Sequence, residues 1–173
     1  MTIWTLPCSR KRRMDDLAVG SVAQKMTRLP EARLQLDVVA TPLGVRRGLN
    51  EIRQTLHLWG MGHDDIGTAE MVLAEVMNNI VEHAYADCAG ASMLLSAWQW
   101  HGGLAVHVVD SGLPMPDGKL PEGQAKPLNV DLTELPEGGF GWSLIRELTI
   151  DLNYCRSDGE NHLRFRVPPS GLN

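Results

Sequence analysis

One candidate for chemistry is a polar stripe in which Glu75, Asn79 and His83 recur at every fourth residue. If this segment is helical, each residue lies about 40° round the axis from the last, so the three share one face. A carboxylate beside a carboxamide oxygen is a natural pairing of a general base with a Mg²⁺ ligand. A solvated helix face shows the same pattern, and for Glu75 and Asn79 alone that interpretation is favoured.

A second candidate lies where an apolar run from Leu104 ends in Asp110 and reaches Gly112 two residues later. Asp110 could simply cap a turn in which Gly112 takes a positive φ. It could equally accept a hydrogen bond from a ligand amine while Gly112 lets the backbone approach that ligand closely. The motif alone leaves these two interpretations open.

The third candidate is a glycine-rich turn, Glu137-Gly138-Gly139-Phe140-Gly141-Trp142, that leads into an apolar helical pattern. Free backbone N–H groups and the positive end of a helix dipole suit phosphate binding. The turn lacks the GxGxxG spacing and the preceding parallel strand of a dinucleotide-binding fold, and the sequence holds no P-loop motif. On its own this turn is weak evidence for a phosphate site.

The elements that must position these motifs follow the order β-α-α-β-β-loop-α-β-β. Apolar residues alternate in the strands and recur at helical spacing in the helices, and Thr41-Pro42 provides an N-cap with proline in the first turn. We predict strands at 34–38, 91–100, 104–110, 151–156 and 162–167 and helices at 42–58, 64–86 and 141–148. Because hairpins dominate, we expect an α+β two-layer sandwich, with a mostly antiparallel mixed sheet and helices on one face.

Two segments lack this periodicity. Residues 1–33 are expected to be a flexible N-terminal extension that precedes a single domain at 34–173. Residues 111–137 form a long irregular loop rich in proline, and such loops in compact domains are usually functional lids or disordered.

Composition narrows the class of protein. Apolar residues make up 43% of the chain and charged residues 21%, which excludes a disordered or collagen-like chain. No apolar run approaches the roughly 20 residues that span a bilayer. The net charge of −5 is the sum of +4 in residues 1–33 and −9 in residues 34–173, and an acidic body disfavours nucleic-acid binding. The three cysteines form no CxxC motif, as expected for reduced thiols in the cytoplasm.

Together, E-x-x-x-N-x-x-x-H-A-Y, D-x-G and G-x-G-x-x-L resemble, in that order, the N, G1 and G2 boxes of the GHKL ATPase superfamily. Within it, the chain is more similar to the small anti-sigma factor serine kinases of bacterial partner-switching systems. The stretches 109–115 and 156–161 also look like that branch. The resemblance covers about residues 34–167 and implies the Bergerat ATP-binding fold.

The resemblance implies a role for each matching position. Glu75 would be the general base that polarises the attacking hydroxyl, and Asn79 would ligate the Mg²⁺ that bridges the ATP phosphates. Asp110 would accept a hydrogen bond from the adenine amino group, and Gly112 would keep the floor of the pocket open. His83 is expected to be a structural histidine.

The same resemblance places the ATP phosphates at the third motif. Gly139, Phe140, Gly141 and Trp142, at the start of the helix they open, would belong to the cofactor-binding site. The proline-rich segment 113–137 would be the ATP lid, and its lysines are expected to be solvated.

The implied function is that of a cytoplasmic ATP- and Mg²⁺-dependent serine/threonine protein kinase and anti-sigma factor. Its substrate would be a small anti-anti-sigma protein of the STAS type, and it would sequester a sigma factor. One alternative is a nucleotide-gated binding module that sequesters a regulator without significant phosphotransfer. A second alternative is the catalytic domain of a histidine kinase that acts in trans.

Trp98 and Trp100 share one face of a predicted strand with Leu94 and Ser96. This face could be the core side, covered by helices. If it is open, it is a candidate homodimer or partner surface, because exposed aromatic patches usually have a use. The sequence leaves both possibilities open.

Overall fold

The computed structural model describes residues 34–86, 90–123 and 140–171, which contain three α-helices and five strands in the predicted order. The predicted extension 1–33 and the larger part of the predicted lid lie outside these residues. The helices are α1 (Pro42–Leu58), α2 (His63–Asn79) and α3 (Phe140–Leu148). The strands are β1 (Leu34–Val39), β2 (Ser92–Trp100), β3 (Gly103–Asp110), β4 (Ile150–Ser157) and β5 (Glu160–Val167).

The strands form one sheet in the order β1-β2-β3-β5-β4. All four pairings among the described strands are antiparallel, so the expectation of a mixed sheet is wrong in that detail. Short turns at 101–102 and 158–159 make hairpins of β2–β3 and β4–β5. The β4–β5 hairpin joins the sheet through β5, which pairs antiparallel with β3. The described part of the sheet therefore contains no pair of parallel neighbouring strands.

The core lies between one face of the sheet and the helices, which confirms the two-layer α+β prediction. Leu95 and Phe165 on the sheet and Ile52, Leu73 and Met77 on the helices are fully buried. Burying each such side chain contributes about 1.5–3 kcal/mol relative to leaving it exposed. Within the described ranges, no helix combines the length and the apolar character needed to cross a membrane.

The start and the end of α1 follow from local chemistry, as predicted. The Thr41 side chain accepts a hydrogen bond from the backbone N–H of Gly44 at 3.0 Å, and Pro42 occupies the first helical position. The helix ends before Gly60, whose φ of +74° is one that glycine adopts without strain.

The second helix differs from its prediction. A continuous helix to residue 86 was expected, but the α-helical part ends at Asn79 and a π-helical turn follows at Ile80–Ala84. The backbone N–H of Tyr85 bonds to the carbonyl of Ile80 at 3.1 Å, and the carbonyl of Ala84 accepts the N–H of Leu113 at 2.9 Å. The wider turn therefore directs a carbonyl to the residues after β3, which local periodicity does not reveal.

The tryptophan face of β2 points away from the helices. Met93, Leu95 and Ala97 are the buried set on this strand, whereas Trp98 and Trp100 are half-buried on the other side. The guanidinium of Arg166 lies over the Trp100 ring, 4.7 Å from its centroid. The core interpretation of Trp98 and Trp100 is wrong, and a homodimer or partner surface at this face stays a prediction.

Candidate functional site

The structure brings two of the sequence motifs directly together. Glu75 and Asn79 lie one turn apart on α2, and Gly141 in the first turn of α3 packs onto them. A Cβ atom on Gly141 would overlap Oε2 of Glu75 and would lie 3.7 Å from Nδ2 of Asn79. The close contact is with the end of the Glu75 side chain, so glycine leaves this carboxylate room beside the first turn of α3.

The Glu75 end of the site is defined here as Glu75, Asn79, Gly141 and Ser143. Nδ2 of Asn79 and Oγ of Ser143 are buried, and neither has a hydrogen-bond partner in the part of the chain that the structure describes. A buried polar group left without a partner costs about 1–3 kcal/mol. Nδ2 of Asn79, next to the point where Gly141 meets α2, is therefore available to a ligand group that accepts hydrogen bonds.

The donor set at this end fits a hard cation. Asn79 offers a carboxamide oxygen, which is the kind of ligand that Mg²⁺ prefers, and Glu75 places a carboxylate one helical turn away. Both side chains are half-buried, so they are accessible from the cleft between the helices.

The first residues of the predicted lid lie against α3. Arg146 donates from Nε to the carbonyl of Pro121 at 2.8 Å, which ties this segment to the helix. A Cβ atom on Gly123 would come within 2.9 Å of the backbone nitrogen of Ser143. Residues 120–123 therefore cover the first turns of α3. The Lys119 side chain is exposed, as expected for a lid lysine, and Lys126 lies outside the described residues.

The Asp110 end of the site is defined here as Asp110, the loop 111–115 and Asn161. Asp110 is only 7% exposed, and its Oδ1 accepts from the backbone N–H of Gly112 at 2.9 Å and from Nδ2 of Asn161 at 2.8 Å. Its Oδ2 accepts no hydrogen bond from any described residue. Asp110 thus caps its turn with one oxygen, and the other has no partner among the described residues, so the two sequence interpretations are compatible.

Gly112 does not have the positive φ that a turn role predicted. The reason for glycine at this position is steric. A Cβ atom there would lie 2.5 Å from the carbonyl oxygen of Ala84. The loop therefore packs directly onto the π-helical turn. This contact joins the Asp110 end to the helix that carries Glu75 and Asn79.

The loop 111–115 is held by residues that the sequence analysis did not single out as site residues. The Tyr85 hydroxyl accepts from the N–H of Ser111 at 2.8 Å and donates to the carbonyl of Ser92 at 3.0 Å. The Tyr154 hydroxyl accepts from the N–H of Met115 at 3.1 Å. The sequence did contain one sign of this site. Asn161 is polar, although the other side chains on the buried face of β5 are apolar.

The remaining predicted residues are placed as follows. Phe140 begins α3, and Trp142 is half-buried in its first turn, whereas Gly139 lies outside the described residues. His83 is exposed and forms no hydrogen bond with a described residue, so the expected structural role is not supported.

A sequence model of the histidine kinase-like ATPase domain matches residues 38–167. The chain belongs to this family. This confirms the predicted GHKL resemblance, and a domain of this family implies ATP as the nucleotide.

Two curated relatives are protein kinases. The chain is 33% identical over 97 residues to serine/threonine-protein kinase BtrW of Bordetella bronchiseptica, covering 56% of this chain and 66% of BtrW. It is 29% identical over 102 residues to serine-protein kinase RsbW of Bacillus cereus, covering 58% of this chain and 62% of that protein. The matched segments thus span less than two thirds of either relative.

Solved structures share the fold. The SiaB–SiaC complex of Pseudomonas aeruginosa contains a chain with a TM-score of 0.55 at 17% identity, covering 79% of this chain and 90% of that one. The structure of RsbU and RsbW domains from Mycobacterium tuberculosis gives 0.52 at 18% identity, covering 81% of this chain and 34% of that one. At these identities the likeness establishes the fold alone.

Proposed function

We propose that the protein is an ATP-dependent serine/threonine protein kinase of a partner-switching system. It phosphorylates a small STAS-type anti-anti-sigma protein and sequesters a sigma factor in the cytoplasm. The observation that carries the proposal is the packing of Gly141 onto Glu75 and Asn79, which faces a carboxylate toward the start of a helix. Relatives named serine/threonine-protein kinase BtrW and serine-protein kinase RsbW support the same activity.

Adenine binds at the Asp110 end. Oδ2 of Asp110 accepts a hydrogen bond from the 6-amino group, because Oδ1 is already occupied by two donors. Gly112 gives the base access to this oxygen, because the glycine leaves the floor of the pocket without a side chain.

The phosphates lie at the Glu75 end. The backbone N–H groups at the start of α3, with Gly139, Phe140, Gly141 and Trp142, bind phosphate oxygens at the positive end of the helix dipole. The amide oxygen of Asn79 is the protein ligand for Mg²⁺, which when bound neutralises phosphate charge and orients the transferred group.

Glu75 acts on the acceptor. Its carboxylate takes the proton of a serine or threonine hydroxyl as that oxygen bonds to the γ-phosphorus of ATP. The bond from that phosphorus to the bridging oxygen breaks, and ADP leaves. The acceptor hydroxyl must reach Oε2 of Glu75. The protein substrate must therefore enter beside α3 and residues 120–123, which cover the first turns of that helix.

The test is transfer of labelled γ-phosphate from Mg·ATP to proteins of the source-cell lysate and to a purified STAS-domain protein. Wild type and Glu75→Gln are compared with Glu82→Gln, a matched carboxylate that is exposed on the π-helical turn. We expect a small labelled acceptor with wild type and Glu82→Gln, and none with Glu75→Gln.

The chemistry of the label separates the alternatives. Phosphoserine and phosphothreonine survive acid, whereas phosphohistidine does not. An acid-labile product would overturn the proposal in favour of a histidine kinase. No label at all, with ATP still bound by calorimetry, would leave a nucleotide-gated binding module as the function.

A further inference from the structure

Asn161 is the most heavily bonded polar side chain near Asp110. It is only 4% exposed, on β5, directly across the ladder from Asp110 on β3. Its Nδ2 donates to Oδ1 of Asp110 at 2.8 Å and to the carbonyl of Leu113 at 3.0 Å. Its Oδ1 accepts from the hydroxyl of Tyr154 at 2.7 Å and from Nη1 of Arg156 at 2.6 Å.

These four bonds fix the direction of the amide. The oxygen of Asn161 faces two donors and its nitrogen faces two acceptors, so a flipped amide would place like groups against each other. The nitrogen therefore always donates to Asp110. Because N–H donors hold Oδ1 in place, the carboxylate cannot rotate without losing them, and Oδ2 keeps one direction.

The same hairpin also holds the neighbouring loop. Nη1 of Arg156 donates to the carbonyl of Gly112 at 2.9 Å, and the Tyr154 hydroxyl receives the N–H of Met115. Tyr154 and Arg156 lie on β4, so the β4–β5 hairpin sets both the carboxylate and the loop beside it. None of these contacts involves the Glu75 end of the site.

We propose that Asn161 is the positioning residue for base selection: acting through Asp110, it aims Oδ2 at the 6-amino group of the purine. This inference rests on the proposed role of Asp110 in binding adenine. An ionised carboxylate can only accept hydrogen bonds, so a purine that lacks the 6-amino group leaves Oδ2 without a donor. A site built around such a bond discriminates strongly against the analogue that lacks it.

The experiment measures the Kd of ATP and of purine riboside triphosphate, which lacks only the 6-amino group. Wild type is compared with Asn161→Ala and with the control Asn153→Ala, an exposed asparagine on β4. We expect wild type and the control to prefer ATP by about tenfold or more. In Asn161→Ala the affinity for ATP falls by about that factor, the affinity for the analogue changes less than about threefold, and the preference disappears.

A merely structural role gives a different result, because a distorted pocket weakens both nucleotides equally and keeps their ratio. That outcome would overturn the inference. If wild type itself shows no preference, the assignment of Asp110 to adenine fails instead, whatever Asn161 does.

Tyr154→Phe covers the case in which Asn161→Ala does not fold. It removes one hydroxyl that bonds to Asn161, and Arg156 still holds the amide. We expect a smaller preference for ATP over the analogue and a higher KM for ATP. Suppose that Asn161→Ala yields no folded protein. If folded Tyr154→Phe then has the wild-type preference for ATP over the analogue and the wild-type KM for ATP, the inference is overturned.

Discussion

Polar groups at the Asp110 end of the site are bonded to one another, whereas two at the Glu75 end are buried without partners in the described residues. Both amide atoms of Asn161 form hydrogen bonds, and one oxygen of Asp110 has no partner among the described residues. Asn79 and Ser143 each bury a polar atom that nothing described here satisfies. Among the described residues, the polar side chains of Asn161, Tyr154 and Arg156 are bonded at the Asp110 end, and two buried polar atoms at the Glu75 end are not.

Under the proposed function, this difference separates the Asp110 end, which recognises adenine, from the Glu75 end, at which phosphate is transferred. A preorganised end contributes affinity because few groups need to be ordered when the nucleotide binds. At the other end, a phosphate oxygen would supply the acceptor that Nδ2 of Asn79 lacks among the described residues, so the arrangement there would depend on the ligand. Substitutions at the two ends should therefore give different profiles of binding and turnover.

The largest effect is expected from Glu75→Ala. Removing a general base should lower phosphotransfer by about 10²–10⁴-fold, because proton abstraction from the acceptor hydroxyl is lost. The Kd of ATP should stay within about twofold, since Glu75 acts on the acceptor and not on the nucleotide. Single-turnover kinetics and calorimetry measure the two quantities. A parallel loss of ATP binding would remove the distinction between the two ends.

Asp110→Asn should give the opposite profile. The substitution replaces the accepting oxygen by an amide and loses a hydrogen bond to a charged group, so ATP affinity should fall by about 10–100-fold. Turnover at saturating ATP should change little. Calorimetry with wild type beside the variant measures the affinity, and equal Kd values would show that Asp110 does not bind the base.

Two glycines extend the comparison to stability. Gly112→Ala should lower the free energy of unfolding by about 1–3 kcal/mol, because the new Cβ meets the backbone of Ala84. Gly141→Ala should lower it by less than about 1 kcal/mol, because the Cβ meets the end of a Glu75 side chain that can rotate. Displacing Glu75 should nevertheless reduce phosphotransfer.

Chemical denaturation measures these differences, with Gly67→Ala as the control. Gly67 is exposed within α2, and a Cβ there meets nothing within 4 Å. The control should raise the free energy of unfolding by about 0.5–1 kcal/mol. Equal destabilisation by Gly112→Ala and Gly141→Ala would mean that the two ends are equally rigid.

The last prediction concerns His107, which lies on the same face of the sheet as Trp98 and Trp100. Burial, with the charges of Arg164 and His162, lowers the pKa of His107 from 6.5 to about 4. The unfolded chain therefore binds a proton between these values that the folded chain does not, and stability falls as pH drops from 6.5 to 4. After allowance for its partial exposure, we expect about 1 kcal/mol.

Denaturation at pH 7 and pH 4 tests this expectation. His107→Gln should lose part of the acid destabilisation, whereas His63→Gln should not, because that histidine side chain is 96% exposed. The Kd of ATP should not depend on residue 107. If His107→Gln changes the Kd of ATP, the sheet face that carries His107 is energetically coupled to the site.

The parts of the fold that sequence predicted well are those with local causes. The bounds of α1 follow from Thr41, Pro42 and Gly60, and β1 follows from strict alternation of buried and exposed residues. The tryptophan face was undecided, because alternation defines two faces of a strand but not which face the helices cover.

The features that sequence missed depend on distant residues. The end of α2 depends on a bond between Ala84 and Leu113, and the direction of Asp110 depends on Asn161, 51 residues further along the chain. Glu75, Asn79, Asp110, Gly112 and Gly141 were found from three motifs in order, and their roles in binding and catalysis stay predictions. The motif could not reveal that only one oxygen of Asp110 is used by the turn.

The π-helical turn at Ile80–Ala84 makes the length of this segment matter more than its composition. If one residue were deleted there, the helix could continue as a regular α-helix, and every later residue would rotate by about 100°. The carbonyl of Ala84 would then turn away from Leu113, and the Tyr85 hydroxyl would leave Ser92 and Ser111. A change of one residue in the length of this turn would therefore break the contacts that hold the loop 111–115 against it.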